Sequence, residues 1–301
     1  MAQHEDNLSI EIERVAIDRD RLAKFTCEDD FLELIVQLMI EVGSYTCLAA
    51  CTLGQSSTWD RDHAAIGGNM VRIYKLIHAL LDQICQRRGE IVFIVTRLLF
   101  EALVNVRYLI QEFSPEIVDS YITYSLKHER KLRDVINANI EARGGIMLPI
   151  EDRMLKSINR TASAANLSLD NIDSKRQKNW GGKNAFEETQ HVGLEEAYLL
   201  AFSSGSNSIH GNWQEIAGHH LEWDERTGRF TPLMDWARPR PQVPLAFGRL
   251  IVDTLDIYFA FMGGTAASEQ LAPRLSDLQE RLVQVGQAHE NYLAPKEWPE
   301  I

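Results

Sequence analysis

Positive charge is in short supply in this sequence. Against 43 Asp and Glu stand 31 Lys and Arg, giving a formal net charge of −12. A chain this acidic repels polyanions as a whole, which counts against constitutive DNA binding; any nucleic-acid contact needs a local basic patch. Cysteine is also scarce: Cys27, Cys47, Cys51 and Cys85 are the only four, and no Cys-x-x-Cys pair occurs. They are expected to be reduced core thiols of a cytoplasmic protein. No long apolar stretch lacks charge. Residues 91–110 carry Arg97, Glu101 and Arg107, and residues 246–263 carry Arg249, Asp253 and Asp256, so neither is expected to cross a membrane. The acidic, polar start Met1-Ala2-Gln3-His4-Glu5-Asp6 does not read as a signal peptide. The chain has no Walker loop, no Gly-x-Gly-x-x-Gly and no Gly-x-Ser-x-Gly, and no cofactor is expected.

What the sequence does have is helix. Apolar residues make up 45% and charged residues 25%, values of an ordinary globular protein, and 301 residues can bury a substantial core. No internal repeat or low-complexity run divides it. The expected architecture is mainly α: a single helical bundle over 1–301, with peripheral helices before about 64, a core over about 65–265 and a last helix over 267–290. Helices are expected over about 8–25, 31–52, 60–86 and 116–142, from Pro149 and Glu151 to about 165, in a short element between Asn184 and Gly193, and over about 194–210, 245–263 and 267–290. Gly67-Gly68 marks a kink or a close helix contact, Ser57 with Asp60 resembles a capping box, and Asn184 with Glu187 fits another. Alternation around Arg226-Thr227-Gly228 predicts a small β-hairpin near 218–233. The basic run Lys175, Arg176, Lys178 reads as a solvated loop.

The centre is the stretch 91–112, too long for a strand and apolar almost all round, as in a helix buried in a bundle. One polar stripe interrupts it. Arg97, Glu101, Asn105 and Tyr108, spaced i, i+4, i+8, i+11, fall within an arc of about 80°. Such a stripe is either the wet side of a half-exposed helix or a polar pocket inside a helical core. A second concentration of polar groups is Ser203-Ser204-Gly205-Ser206-Asn207-Ser208-Ile209-His210, where small polar side chains crowd a helix ending in histidine. Metal sites are weaker. Asp60, Asp62 and His63 do not share a helix face, and His219, His220, Glu222 and Asp224 read as an exposed hairpin face, so no metal is expected.

Taken together, Arg97 through Tyr108, then Tyr121 and Tyr124, Trp180-Gly181, and Tyr198 through Ser206 to His210-Gly211 resemble a bacterial all-helical family of unknown function, over roughly 65–265. That family is similar to the HEPN (higher eukaryotes and prokaryotes nucleotide-binding) proteins, many of them metal-independent ribonucleases of toxin and phage-defence systems. The resemblance implies RNA as a partner, a homodimer or a companion protein of the same system, and no membrane. The HEPN pattern places an Arg shortly before the His; here those positions hold Gly205, Ser204 and Ser203. Arg97 from the neighbouring helix would then hold the phosphate, Glu101 would orient it, and His210 would exchange the proton. Ser206, Asn207 and Asn105 would add hydrogen bonds, with Trp180, Tyr198 or Tyr108 stacking on a base. The alternative is a non-catalytic interaction or ligand-binding protein in which Arg97, Glu101 and His210 only fix helix register.

Overall fold

In the computed structural model, residues 11–54, 56–173, 179–199, 201 and 204–297 are described. The helices are α1 (Arg19–Leu22), α2 (Glu28–Ala50), α3 (Arg61–Cys85), α4 (Gly89–Gln111), α5 (Pro115–Ser125), α6 (Lys127–Ala142), α7 (Pro149–Ala164), α8 (Ala185–His191), α9 (Glu195–Tyr198), α10 (Ser204–His210) and α11 (Trp213–His219). A hairpin of β1 (Leu221–Asp224) and β2 (Arg229–Pro232) follows, then α12 (Gln242–Tyr258) and α13 (Gly264–Leu293), joined by a π-helical turn, Phe259–Gly263. The fold is mainly α with one small antiparallel hairpin, as the periodicity predicts.

α4 is the axis of the bundle. It is buried at 14 of its 23 residues and packs against α3, α10, α12 and α8. Leu99, Ala102, Leu103, Val106 and Leu109 are each 0% exposed; full burial of a Leu or Val stabilises by about 1.5–3 kcal/mol. Arg107, on the flank away from the polar stripe, is satisfied inside the core, donating to Thr254 Oγ1 at 2.8 Å and to the Leu250 carbonyl at 3.1 Å. α2 is long and apolar enough to span a bilayer by length and composition, but it lies in the bundle against α3, α12 and α13. A second, smaller core joins α6 to α7 through Leu126, Ile136, Ile158, Ala162, Leu169 and Ile172; Ile122 of α5 packs against both cores.

Several expected elements differ. Of the expected first helix, only Arg19–Leu22 is helical, and residues up to 10 lie outside the described residues. The backbone before it is non-helical because a buried ion pair grips it: Glu41 Oε2 accepts from Val15 N at 2.9 Å, and Arg281 Nη1 donates to Val15 O at 2.9 Å. The same Arg281 meets Glu41 twice at 2.6 Å. Asp60 is itself the N-cap of α3, accepting from His63 N at 2.8 Å, rather than the partner of a Ser57 cap. Gly67 marks a close approach, since a Cβ there would lie 2.6 Å from the Trp59 ring. The 116–142 helix breaks at Leu126, whose side chain turns into the second core and redirects α6 onto α7. Within the expected 194–210 helix, α9 passes into π-helical backbone at Leu199 and Ala201 ahead of α10, and residues 200, 202 and 203 lie outside the described residues. Three of the four cysteines, Cys27, Cys51 and Cys85, are exposed rather than core, and Cys47 is half-buried; all four are free thiols.

Candidate functional site

The polar stripe of α4 opens into a cavity of about 700 Å³. Phe100, Glu101, Val104 and Asn105 form one wall. Tyr121 and Tyr124 of α5 with Lys127, His128 and Lys131 of α6 form another, and Arg72 of α3 joins them. The third wall is the loop through Trp180, Lys183 and Asn184, continued by Ala185, Glu188 and Thr189 of α8 and by Tyr198. Tyr121, Tyr124 and His128 share this cavity despite the break at Leu126.

Its floor is an aromatic stack built on Tyr108. That ring is 0% exposed, lies edge-on to Trp180 at 5.1 Å and to His191 at 5.3 Å, and Trp180 in turn meets Tyr121 at 5.0 Å. The Trp180-Gly181 pair has a steric reason. Gly181 takes a left-handed φ of 59°, where a Cβ would stand 3.1 Å from Tyr108 Cε1. Its amide donates to Ser120 Oγ at 3.0 Å, and Lys183 Nζ donates to Tyr108 Oη at 2.9 Å, closing the loop onto the floor. That donation favours the charged ammonium and raises the Lys183 pKa. Asn69, buried on α3, donates to Tyr121 Oη at 2.8 Å and fixes that ring.

Four Lys or Arg residues line the cavity, Arg72, Lys127, Lys131 and Lys183, against two carboxylates, Glu101 and Glu188. Glu101 accepts from Arg97 Nε at 3.2 Å. Glu188 is only 5% exposed, and burial, with Glu187 nearby, pushes its pKa up to about 7 against the pull of Lys183. This is the local basic patch that the acidic chain as a whole lacks. It can hold a phosphate beside a planar ring.

The predicted site residues separate into two groups. Glu101, Asn105, Trp180 and Tyr198 line the cavity together, with Tyr108 buried beneath as support. Ser206, Asn207 and His210 are not among its lining residues, nor is Arg97. α10 does lie on α4: a Cβ on Gly205 would stand 2.5 Å from Arg97 Cβ. Five residues later, His210 is turned about 140° away from that contact and is exposed. The small polar residues of α10 dock it on α11 instead. Asn207 Nδ2 donates to Gln214 Oε1 at 3.2 Å, Asn212 Nδ2 to Asn207 Oδ1 at 2.6 Å, and Ser208 Oγ to the buried Glu215 at 2.9 Å. Ser203 and the Lys175–Lys178 run lie outside the described residues.

The family comparison falls on this region. A family model described as a family of unknown function, DUF5677, matches residues 63–228, more than half of the chain. The chain belongs to that family. The family segment runs from His63 in α3 to Gly228 in the hairpin and holds every residue named as lining the cavity, whereas α12, which packs on α4, and α2 and α13, which pack on α12, lie outside it. No curated protein and no solved structure matches the chain.

Sequence reasoning missed Arg72, Lys127, Lys131, Lys183, Glu188 and α11. Two signals were present. Ala185, Glu188, Thr189 and Val192 repeat at i, i+3, i+4, i+7, which puts Glu188 on the inward face of α8. Asn212, which accepts from Glu215 N at 3.0 Å, is the cap of α11. His219 therefore ends a helix rather than opening a strand, 4.0 Å from Glu215, with His220 3.8 Å from the same carboxylate. Among the described residues no group of three His, Cys, Asp or Glu has metal-binding geometry.

Proposed function

We propose that the protein is a ligand-binding helical bundle whose α4–α6–α8 cavity takes a nucleotide, either free or as one unit of a single-stranded RNA. The observation that supports this reading is the placement of Arg72, Lys127, Lys131 and Lys183 around an aromatic floor in a chain of net charge −12. A phosphate beside the cations and a ring against Trp180, Tyr121 or Tyr198 would use both halves of the lining; stacking on such rings contributes about 1–3 kcal/mol per base. The test is calorimetric titration of nucleoside monophosphates and of a short single-stranded RNA into the full-length protein and into Lys127→Glu/Lys131→Glu. Saturable binding, weakened about tenfold or more by the charge reversal, is the expected result. No saturable binding of any of these probes overturns the reading.

A HEPN-like, metal-independent ribonuclease of the toxin or phage-defence kind is the second reading. It draws on the direct contact of α10 with Arg97. Cleavage would require His210 and Arg97 to reach one phosphate. Incubating RNA with the protein in EDTA, wild type beside His210→Ala, tests it. Cleavage lost in the variant supports the ribonuclease, and no cleavage by wild type leaves the nucleotide-binding reading alone.

A further inference from the structure

Several polar side chains around the floor of the cavity already have partners within the protein. Lys183 donates to Tyr108, Asn69 donates to Tyr121, and Glu101 accepts from Arg97. Glu187, the neighbour of Glu188 on α8, accepts from the Asn184 amide at 2.7 Å. Glu188 lines the cavity at 5% exposure, and among the described residues no hydrogen bond reaches its carboxylate. A buried carboxylate left without donors is costly, and it is tolerated where a ligand completes it.

We infer that Glu188 reads the ring of the bound nucleotide and selects guanine. This rests on the nucleotide reading above and adds the identity of the base. An ionised carboxylate offers two acceptor oxygens in one plane and no donor, so its complement is a planar group with two adjacent N–H donors. Guanidinium and amidinium groups fit that description but are cations, which Arg72, Lys127, Lys131 and Lys183 oppose. The neutral ring that fits is guanine, with N1–H beside its exocyclic N2 amine. Adenine and cytosine set a donor next to an acceptor, and uracil sets one donor between two acceptors, so each would place a lone pair against a carboxylate oxygen. Donors from guanine favour the charged form of Glu188, which burial alone disfavours. The phosphate attached to that ring is the group the cationic wall is suited to hold.

The experiment is calorimetric titration of GMP, IMP and AMP into the full-length protein at pH 8, where Glu188 is ionised, for wild type and Glu188→Gln. IMP keeps the guanine ring and N1–H but lacks the N2 amine. GMP is expected to bind at least about tenfold more tightly than IMP or AMP, the effect of one charge-assisted hydrogen bond. Glu188→Gln exchanges one acceptor for a donor, so it should remove about tenfold or more of GMP affinity while AMP changes by no more than about twofold. Equal affinity of wild type for the three nucleotides, or an unchanged GMP preference in Glu188→Gln, overturns the assignment of guanine and leaves nucleotide binding standing. No binding of any of the three overturns both. The GMP–IMP comparison uses wild type alone, so it decides the question even if Glu188→Gln fails to fold.

Discussion

Lys183 Nζ donates to Tyr108 Oη at 2.9 Å, so the loop that closes the cavity is anchored to a fully buried tyrosine in the last turn of α4. Three residues lie between Asn179 and Lys183, and two of them, Trp180 and Gly181, rest on the same tyrosine. The sequence-distant loop and the central helix thus act as one unit at the site.

Tyr108→Phe removes the acceptor and keeps the ring. The global stability should fall by only about 0.5–1.5 kcal/mol, the net value of one hydrogen bond. Hydrogen exchange of the amides of residues 180–184 should accelerate more than that of α4. Unchanged protection of the loop would show that Lys183 does not hold it.

Glu188 gives the pH dependence a definite sign. Its folded pKa, about 7, lies above the ordinary 4.5, so the native state keeps a proton where the unfolded chain has lost it. Stability therefore declines as pH rises from about 4.5 to about 7, by at most about 3 kcal/mol from this group. Denaturant unfolding of wild type and Glu188→Gln across that range should show the variant gaining relative stability toward high pH. Parallel profiles would mean that Glu188 ionises normally.

Two glycines should respond oppositely to alanine. At Gly205 the new Cβ would lie 2.5 Å from Arg97 Cβ and 2.8 Å from the Phe93 carbonyl oxygen, so α10 must move off α4, at a cost of about 1–3 kcal/mol. At Gly68, on α3 with nothing within 4 Å, the same change should stabilise by about 0.5–1 kcal/mol through helix propensity. Thermal melts of the two variants check both signs.

The Glu41–Arg281 pair predicts a strong, local effect. Arg281→Met leaves the Glu41 charge buried, with both residues under 5% exposed in their side chains, and should cost about 3–5 kcal/mol. It should also release the backbone around Val15, which limited proteolysis would detect as a new early cut before α1. The double change to Met and Leu should recover much of the loss.

Much of the bundle could be read from the amino-acid pattern because burial imposes a period. Ile91 through Gln111 could only be a central helix, and its Glu101 and Asn105 do face a cavity. Where a segment's conformation is set by distant groups, the pattern misled: Glu11 to Ile17 has helical spacing, but Glu41 and Arg281 hold its backbone out of a helix. The crowd of serines and asparagines before His210 looked like a site, yet the bonds of Asn207 and Ser208 run to α11, a helix that reads from sequence only if Asn212 is taken as a cap. The cations of the cavity were invisible for a different reason. Arg72, the Lys127/Lys131 pair of α6 and Lys183 lie far apart in the chain, and tertiary packing alone makes them one patch.

The division of the apolar core into two has a mechanical meaning for this cavity. Its floor, Tyr108 and Trp180, belongs to the main core, while Lys127, His128 and Lys131 ride on α6, whose inner face packs into the smaller core with α7. The two are joined at the turn between Ser125 and Lys127. The gap between the cationic wall and the aromatic floor thus depends on how α5 meets α6, where Ile122 packs against both cores, as well as on the bundle that carries the floor.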